Sequence, residues 1–183
     1  RINAAKKPVL ITGSGTQYWD ARQELIDCAE KFQVPVLTAY KRQDAFPNSH
    51  PNYAGNVANA IKFTRNLCVN EADLILAVGA RMNQQTTSSY AFPKRGQTFI
   101  QIYPDEETLG QNLRPDVGVV ADAKTALSAA LKLQGPRPNE SRAAWIAEQH
   151  ATHKRYATPA ARPSRRVSME RVLTDIKALQ PAD

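Results

Sequence analysis

Cysteine is scarce in this chain. Two occur among 183 residues, Cys28 and Cys68, which excludes a disulfide framework. Both sit in helical patterns among apolar neighbours and read as buried, reduced thiols. Long hydrophobic runs are missing as well. None approaches the ~20 residues that a membrane-crossing helix needs. The chain opens Arg1-Ile2-Asn3, with neither an initiator methionine nor the apolar core of a signal peptide. Such a start reads as the interior of a longer protein, so catalytic residues are to be expected on segments outside it. The expected compartment is the cytoplasm.

Charge concentrated in one place is also absent. The net charge is +7, but residues 1–134 hold 15 basic and 12 acidic residues, and residues 135–183 hold 9 and 5. No basic helix with interleaved aromatics and no nucleic-acid motif accompanies the excess. It reads as a solvated surface, and nucleic acid is not expected as a partner. Nucleophile motifs are lacking: there is no G-x-S-x-G and no cysteine–histidine arrangement with recognisable context. His50 is a lone loop histidine, expected to serve in structural hydrogen bonding. His150 and His153 stand three apart on a helical pattern, with no third metal ligand nearby.

What is present is strongest between residues 72 and 105. ADLILAVGAR is a continuous apolar run ending in Gly79-Ala80-Arg81, and TFIQIYPD is a β-rich run ending in Asp105. A continuous Leu/Ile/Val run suits a strand buried on both faces of a parallel sheet. Further strands are read at 8–12, 34–39 and 117–120, and helices at 21–32, 55–70, 123–134, 139–156 and 167–179. A long loop is expected over 40–53. Alternating strands and helices predict an α/β fold: a Rossmann-like parallel sheet of five or six strands with helices on both faces, plus a C-terminal helical extension. Gly135-Pro136-Arg137-Pro138 marks a boundary between a domain at 1–134 and an extension at 135–183, with a Pro-, Ala- and Arg-rich linker at 157–166. The last helix carries an apolar stripe (Met169, Val172, Leu173, Ile176, Leu179) that needs a partner.

In open α/β sheets ligands bind beyond the carboxyl ends of the strands. Gly13-Ser14-Gly15, between a strand and a helix, is where a helix N-terminus can meet phosphate. It lacks the third glycine of G-x-G-x-x-G, since position 18 is Tyr, and it lacks a P-loop ending. Ligand contact and a structural turn both stay open. Arg81 could pair with a phosphate in bidentate fashion or form a structural ion pair. Asp105 could accept from a ribose hydroxyl or cap the segment after it. Asp122 is expected to cap the helix that Ala123 begins.

The segments KPVLITGSG, VPVLTAYKRQDAFPNSHPNYAG, ADLILAVGARM, FIQIYPDEETLGQN and RPDVGVVADAKTAL occur in that order. Together they resemble the central domain of thiamine-diphosphate-dependent enzymes of the acetolactate (acetohydroxyacid) synthase and benzaldehyde lyase type, over roughly residues 4–134. The closing VSMERVLTDIKALQPAD resembles the lead-in to that family's diphosphate-binding domain. The resemblance implies a parent 2-oxo-acid decarboxylase or carboligase using thiamine diphosphate and Mg2+. It places the catalytic glutamate and the metal-binding motif on pyrimidine and diphosphate-binding domains outside this sequence. This chain alone is then expected to be inactive, to hold no thiamine diphosphate, and to join catalytic domains within a homo-oligomer.

The resemblance further implies that FAD or ADP is a possible ligand. Gly13, Ser14, Gly15, Gly79, Ala80, Arg81, Asp105, Asp122 and Ala123 are the cofactor-binding positions. Two departures count against flavin. Flavin-binding members tend to close the fourth strand with Asp-x-Asp, where this chain has Tyr103-Pro104-Asp105. They tend to continue the Gly-x-Arg motif with Phe-Asp-Asp-Arg, where this chain has Met82-Asn83-Gln84-Gln85. The rivals are a stand-alone NAD- or FAD-binding protein and a protein-interaction module. A sirtuin-like NAD enzyme would usually need a zinc-binding cysteine quartet, which two cysteines cannot supply.

Overall fold

The computed structural model describes residues 1–58, 61–158 and 167–179. Six strands form one parallel sheet: β1 (Pro8–Thr12), β2 (Val36–Thr38), β3 (Tyr53–Asn56), β4 (Leu74–Val78), β5 (Thr98–Tyr103) and β6 (Val117–Val120). Their order across the sheet is β3-β2-β1-β4-β5-β6, the doubly wound order whose direction reverses between β1 and β4. Those two strands are buried at every residue, as their unbroken apolar runs predict.

Side chains alternate across the sheet. Val9, Ile11, Ile75, Ala77 and Phe99 face one core, which Leu67, Cys68 and Trp145 complete. Leu10, Leu74, Leu76, Val78 and Ile100 face the other. There α2 (Arg22–Lys31) contributes Leu25, Cys28 and Ala29, and α4 (Ala123–Leu131) contributes Ala123 and Leu127. Both thiols are buried and unpaired. Burial pushes the Cys28 thiol up to about 11 and the Cys68 thiol higher still, so neither ionises near neutral pH.

Three expectations from the sequence need correction. Residues 55–70 are not one helix. Tyr53–Asn56 form the strand β3, α3 spans only Lys62–Asn66, and a wider π-type turn covers Leu67–Glu71. Gly55, at φ +112°, and the Asn56 side chain, donating to Thr38 O and Ala39 O at 3.0 and 2.7 Å, hold the segment extended beside β2. Gly13-Ser14-Gly15 is only partly a turn, because Ser14 already opens α1 (Ser14–Tyr18). Finally, α4 ends at Leu131 rather than at Gly135. Glycine at 135 serves a crossing instead: an added Cβ would lie 2.8 Å from Lys31 O.

The chain after 134 packs back on the sheet. Helix α5 (Glu140–Ala157) runs against the outer strand β3 and so covers a sheet edge. His150 Nδ1 hydrogen-bonds to Tyr53 O at 2.9 Å. Arg142 is 1% exposed. Its guanidinium donates to Phe32 O at 2.8 Å, to Ala5 O at 2.5 Å and to Ile2 O, which ties α5 to α2 and to the start of the chain. The last helix, α6 (Met169–Leu179), is N-capped by Ser168, whose Oγ accepts from Arg171 N at 3.2 Å. Its apolar stripe is exposed throughout. Most of the expected 157–166 linker lies outside the described residues.

Arg142→Met should strand three backbone carbonyls. Stability should fall by about 1–3 kcal/mol or more, from the cost of unsatisfied buried acceptors. Urea unfolding followed by circular dichroism should show one transition at a lower midpoint. An unchanged midpoint would show that α5 is not part of the cooperative unit.

Candidate functional site

The carboxyl ends of β1 and β4 lie side by side, in the register Thr12 to Val78. A crevice is expected where the strand order reverses. Here it is closed by backbone. Gly13 N donates to Val78 O at 3.2 Å, Gly15 N to Gly79 O at 3.0 Å, and Gly79 N to Ile102 O at 3.0 Å. A Cβ on Gly13 would sit 2.5 Å from Gly79 O and 2.6 Å from Ala80 Cα. One on Gly15 would sit 2.7 Å from Gly79 Cα. Gly79, at φ +58°, would place its own Cβ 2.8 Å from Gly15 Cα. The three glycines let the two turns press against each other, the close approach that a missing side chain permits. Beneath them, Thr12 Oγ1 and Thr16 Oγ1 share a buried hydrogen bond at 2.5 Å. Ala80 is buried at this joint, and Ser14 stands exposed at the start of α1.

Arg81 points away from the joint. Its Nε donates to Tyr103 Oη at 2.9 Å. With Met82, Asn83, Gln101, Thr108 and Leu113 it lines a cavity of about 220 Å³ at the ends of β4 and β5. Asp105 accepts from Glu107 N at 3.0 Å and from Thr108 Oγ1 at 2.6 Å. These bonds, with a smaller contribution from the Arg81 charge, hold its carboxyl below the usual carboxylate range. It caps a turn, since no helix follows it. Asp122 is the N-cap of α4, accepting from Thr125 N at 2.8 Å, and that bond lowers its pKa. Ala123 is buried behind it. Lys124 Nζ donates to Asp20 O at 2.9 Å and pairs with Glu24 at 3.7 Å, so the start of α4 is tied to the α1–α2 turn.

The nine positions named from sequence therefore divide. Gly13, Gly15, Gly79 and Ala80 meet in one joint, and Ser14 stands exposed beside it as the first residue of α1. Arg81 lines the cavity beside the joint, and Asp105 is bonded to Thr108, another lining residue. Asp122 and Ala123 belong to the start of α4. Sequence reasoning missed Tyr103 as the partner of Arg81, and it missed Gln101 and Thr108. Gln101 had a signal, as a buried polar residue inside the apolar run FIQIY. The cavity offers a guanidinium, side-chain amides and a hydroxyl. That is equipment for hydrogen bonding rather than for bond breaking. Among the described residues, no group of three or more His, Cys, Asp or Glu side chains could hold a metal ion. Nor is any described helix long and apolar enough to cross a membrane. His50 is structural, accepting from Asn52 N at 3.1 Å and meeting Glu30 at 3.2 Å.

A glycine series tests the joint. Gly13→Ala and Gly79→Ala should each cost about 1–3 kcal/mol, through overpacking against backbone that cannot yield. Gly118→Ala, whose new Cβ would meet nothing closer than 3.5 Å, should stay within about 0.5 kcal/mol of the parent. Thermal unfolding distinguishes them. Equal effects at all three positions would dissolve the joint as an explanation.

Comparison with known proteins places this geometry. Residues 1–130 match the family model described as thiamine pyrophosphate enzyme, central domain. The probable acetolactate synthase large subunit of Methanocaldococcus jannaschii is 31% identical over 126 residues, 69% of this chain and 21% of that protein. The sulfoacetaldehyde acetyltransferase of Roseovarius nubinhibens is 34% identical over 156 residues, 80% of this chain and 26% of that protein. Among solved structures, benzoylformate decarboxylase from Polynucleobacter necessarius superposes with a TM-score of 0.62 at 27% identity, covering 77% of this chain and 27% of that one. The chain thus spans about a fifth to a quarter of the length of these relatives. With a model match over residues 1–130, the chain belongs to the thiamine pyrophosphate enzymes, as their central domain.

Proposed function

We propose that this chain is a non-catalytic scaffold inside a longer 2-oxo-acid decarboxylase or carboligase of the acetolactate synthase type. Residues 1–134 form the central domain in this reading, and residues 135–183 lead toward a diphosphate-binding domain. One observation carries it: the crevice where the strand order reverses is filled by its own glycine turns. Arg81, Asp105 and Asp122 are engaged with Tyr103, Thr108 and Thr125, as in a load-transmitting joint.

Thiamine diphosphate, with Mg2+, would supply the parent's electron sink. The described donor set does not fit the metal, so both are assigned to the pyrimidine and diphosphate-binding domains of the same enzyme. This chain's share is to hold those domains at a fixed separation within a cytoplasmic homo-oligomer. The 2-oxo acid would be met by the catalytic domains. Nucleic acid and membrane have no part in the reading.

A second reading rests on the cavity beside Arg81, where the ADP portion of FAD, or ADP itself, would have a cation and amides to meet. Calorimetric titration separates the two. The scaffold reading expects no saturable heat with FAD, ADP or NAD, and none with thiamine diphosphate plus Mg2+. Saturable FAD or ADP binding that Arg81→Ala abolishes would replace it with the nucleotide reading. Binding of thiamine diphosphate would overturn the domain assignment.

A further inference from the structure

The face of the sheet opposite the Arg81 cavity holds a second, apolar one. Gln101 lines the first, and its neighbours Ile100 and Ile102 turn the other way, onto a cavity of about 100 Å³ between the sheet, α2 and α4. Leu10, Leu76 and Ile100 form its floor. Cys28 and Phe32 stand on the α2 side, and Leu127 stands on the α4 side. The remaining space fronts Ala126 and Ala130, the smallest side chains of the lining, one turn apart on α4.

Bonds outside the cavity hold its walls apart. Lys31 Nζ donates to Leu131 O at 2.6 Å, from α2 across to α4. Asn3 Nδ2 donates to Gln134 O at 2.9 Å, just past α4. Arg142 donates to Phe32 O at 2.8 Å, at the end of α2, and to Ile2 O. The first turn of the chain is thereby tied to both helix ends, with Ile2 in the lining. Collapse would require these bonds to break, so the space is preformed.

Its chemistry follows from what the walls lack. Among the described residues every side chain lining the cavity is apolar. The one heteroatom is Cys28 Sγ, which donates to Leu127 O at 3.5 Å. Burial pushes that thiol up to about 11, so it carries no charge at pH 7. The strand amides there are used in the β1–β4–β5 ladder. A buried water needs about two to four polar partners, and this lining offers it none. An engineered apolar cavity of about 150 Å³ stays dry and takes benzene or xenon; this one is smaller. Leu10, Cys28, Val34 and Leu127 are at most 3% exposed, so a guest that reaches them leaves water.

We propose that this cavity binds a small uncharged molecule without hydrogen-bonding groups, smaller than benzene: a short hydrocarbon, a halocarbon or a rare-gas atom. The site lies on the other face of the sheet from the Arg81 cavity, and the scaffold reading neither requires nor excludes it.

Xenon is the probe, applied under pressure to the methyl-labelled chain. The methyl signals of Leu10, Leu76, Ile100 and Leu127 should move together and saturate, with a Kd of about 1–10 mM. Those of Val9, Ile11 and Ile75, in the core on the other face, should stay in place. Propane should displace xenon competitively. Ethanol has as many heavy atoms as propane but would bury a hydroxyl without a partner, so it should bind at least about tenfold more weakly. Ala126→Leu and Ala130→Leu, at half-buried positions, should each abolish the xenon response and leave the signals of the other core in place. Shifts that remain linear throughout that concentration range would overturn the proposal. So would shifts spread equally over both cores, ethanol binding as tightly as propane, or a xenon response that survives in both folded leucine variants. The propane and ethanol comparisons need no variant, so a variant that fails to fold leaves the proposal open to refutation.

Discussion

Everything around the centre of this sheet depends on one close approach. Two turns, after β1 and after β4, touch backbone to backbone where a ligand-binding fold would keep them apart. A side chain at Gly13, Gly15 or Gly79 would fall within 2.5–2.8 Å of the opposite turn. The contact closes the crevice, positions α1 over it, and turns Arg81 outward toward Tyr103. It also makes the two halves of the sheet one body, since Gly13 N, just after β1, donates to Val78 O at the end of β4. A domain that must hold two others at a set distance benefits from stiffness here. A domain that must admit a nucleotide would need room at the same point.

The outer strands are managed in different ways. β3 is covered by α5, and the covering is specific: a buried guanidinium reads three carbonyls from two separate segments, and His150 binds a strand carbonyl. Among the described residues β6 is left open, with Val120 58% exposed. An exposed apolar edge is a place where another chain or domain can add contacts. The stripe of α6 is exposed in the same way. Both features suit a domain that sits between others.

Much of this was legible in the amino-acid order. The runs VLIT, LILAV and TFIQIY announced central strands because burial on both faces demands unbroken apolar residues. Asp122 announced a cap by its place before an alanine-rich helix. β3 was hidden, because Tyr53-Ala54-Gly55-Asn56 lacks the β-branched residues that mark strands, and because Val57, Ile61 and Cys68 mimic a helical period. What makes it a strand is tertiary: pairing with β2 and the Asn56 bonds across the turn. At the joint, the sequence left ligand contact and a structural turn equally open at Gly13-Ser14-Gly15. A glycine that admits phosphate and a glycine that admits another backbone look alike in one dimension. The pairing of Arg81 with Tyr103 was likewise invisible, since it needs the β4–β5 register.

The most direct measurement is native-state hydrogen exchange at the amides of Gly13, Gly15 and Gly79. If the joint is a permanent structural contact, these amides open only with the whole domain. Their exchange free energies should then fall within about 1 kcal/mol of the global unfolding value, as for residues in the core strands. Exchange through a local opening several kcal/mol cheaper would contradict the account. It would mean that the crevice opens on its own, as a ligand-admitting site must.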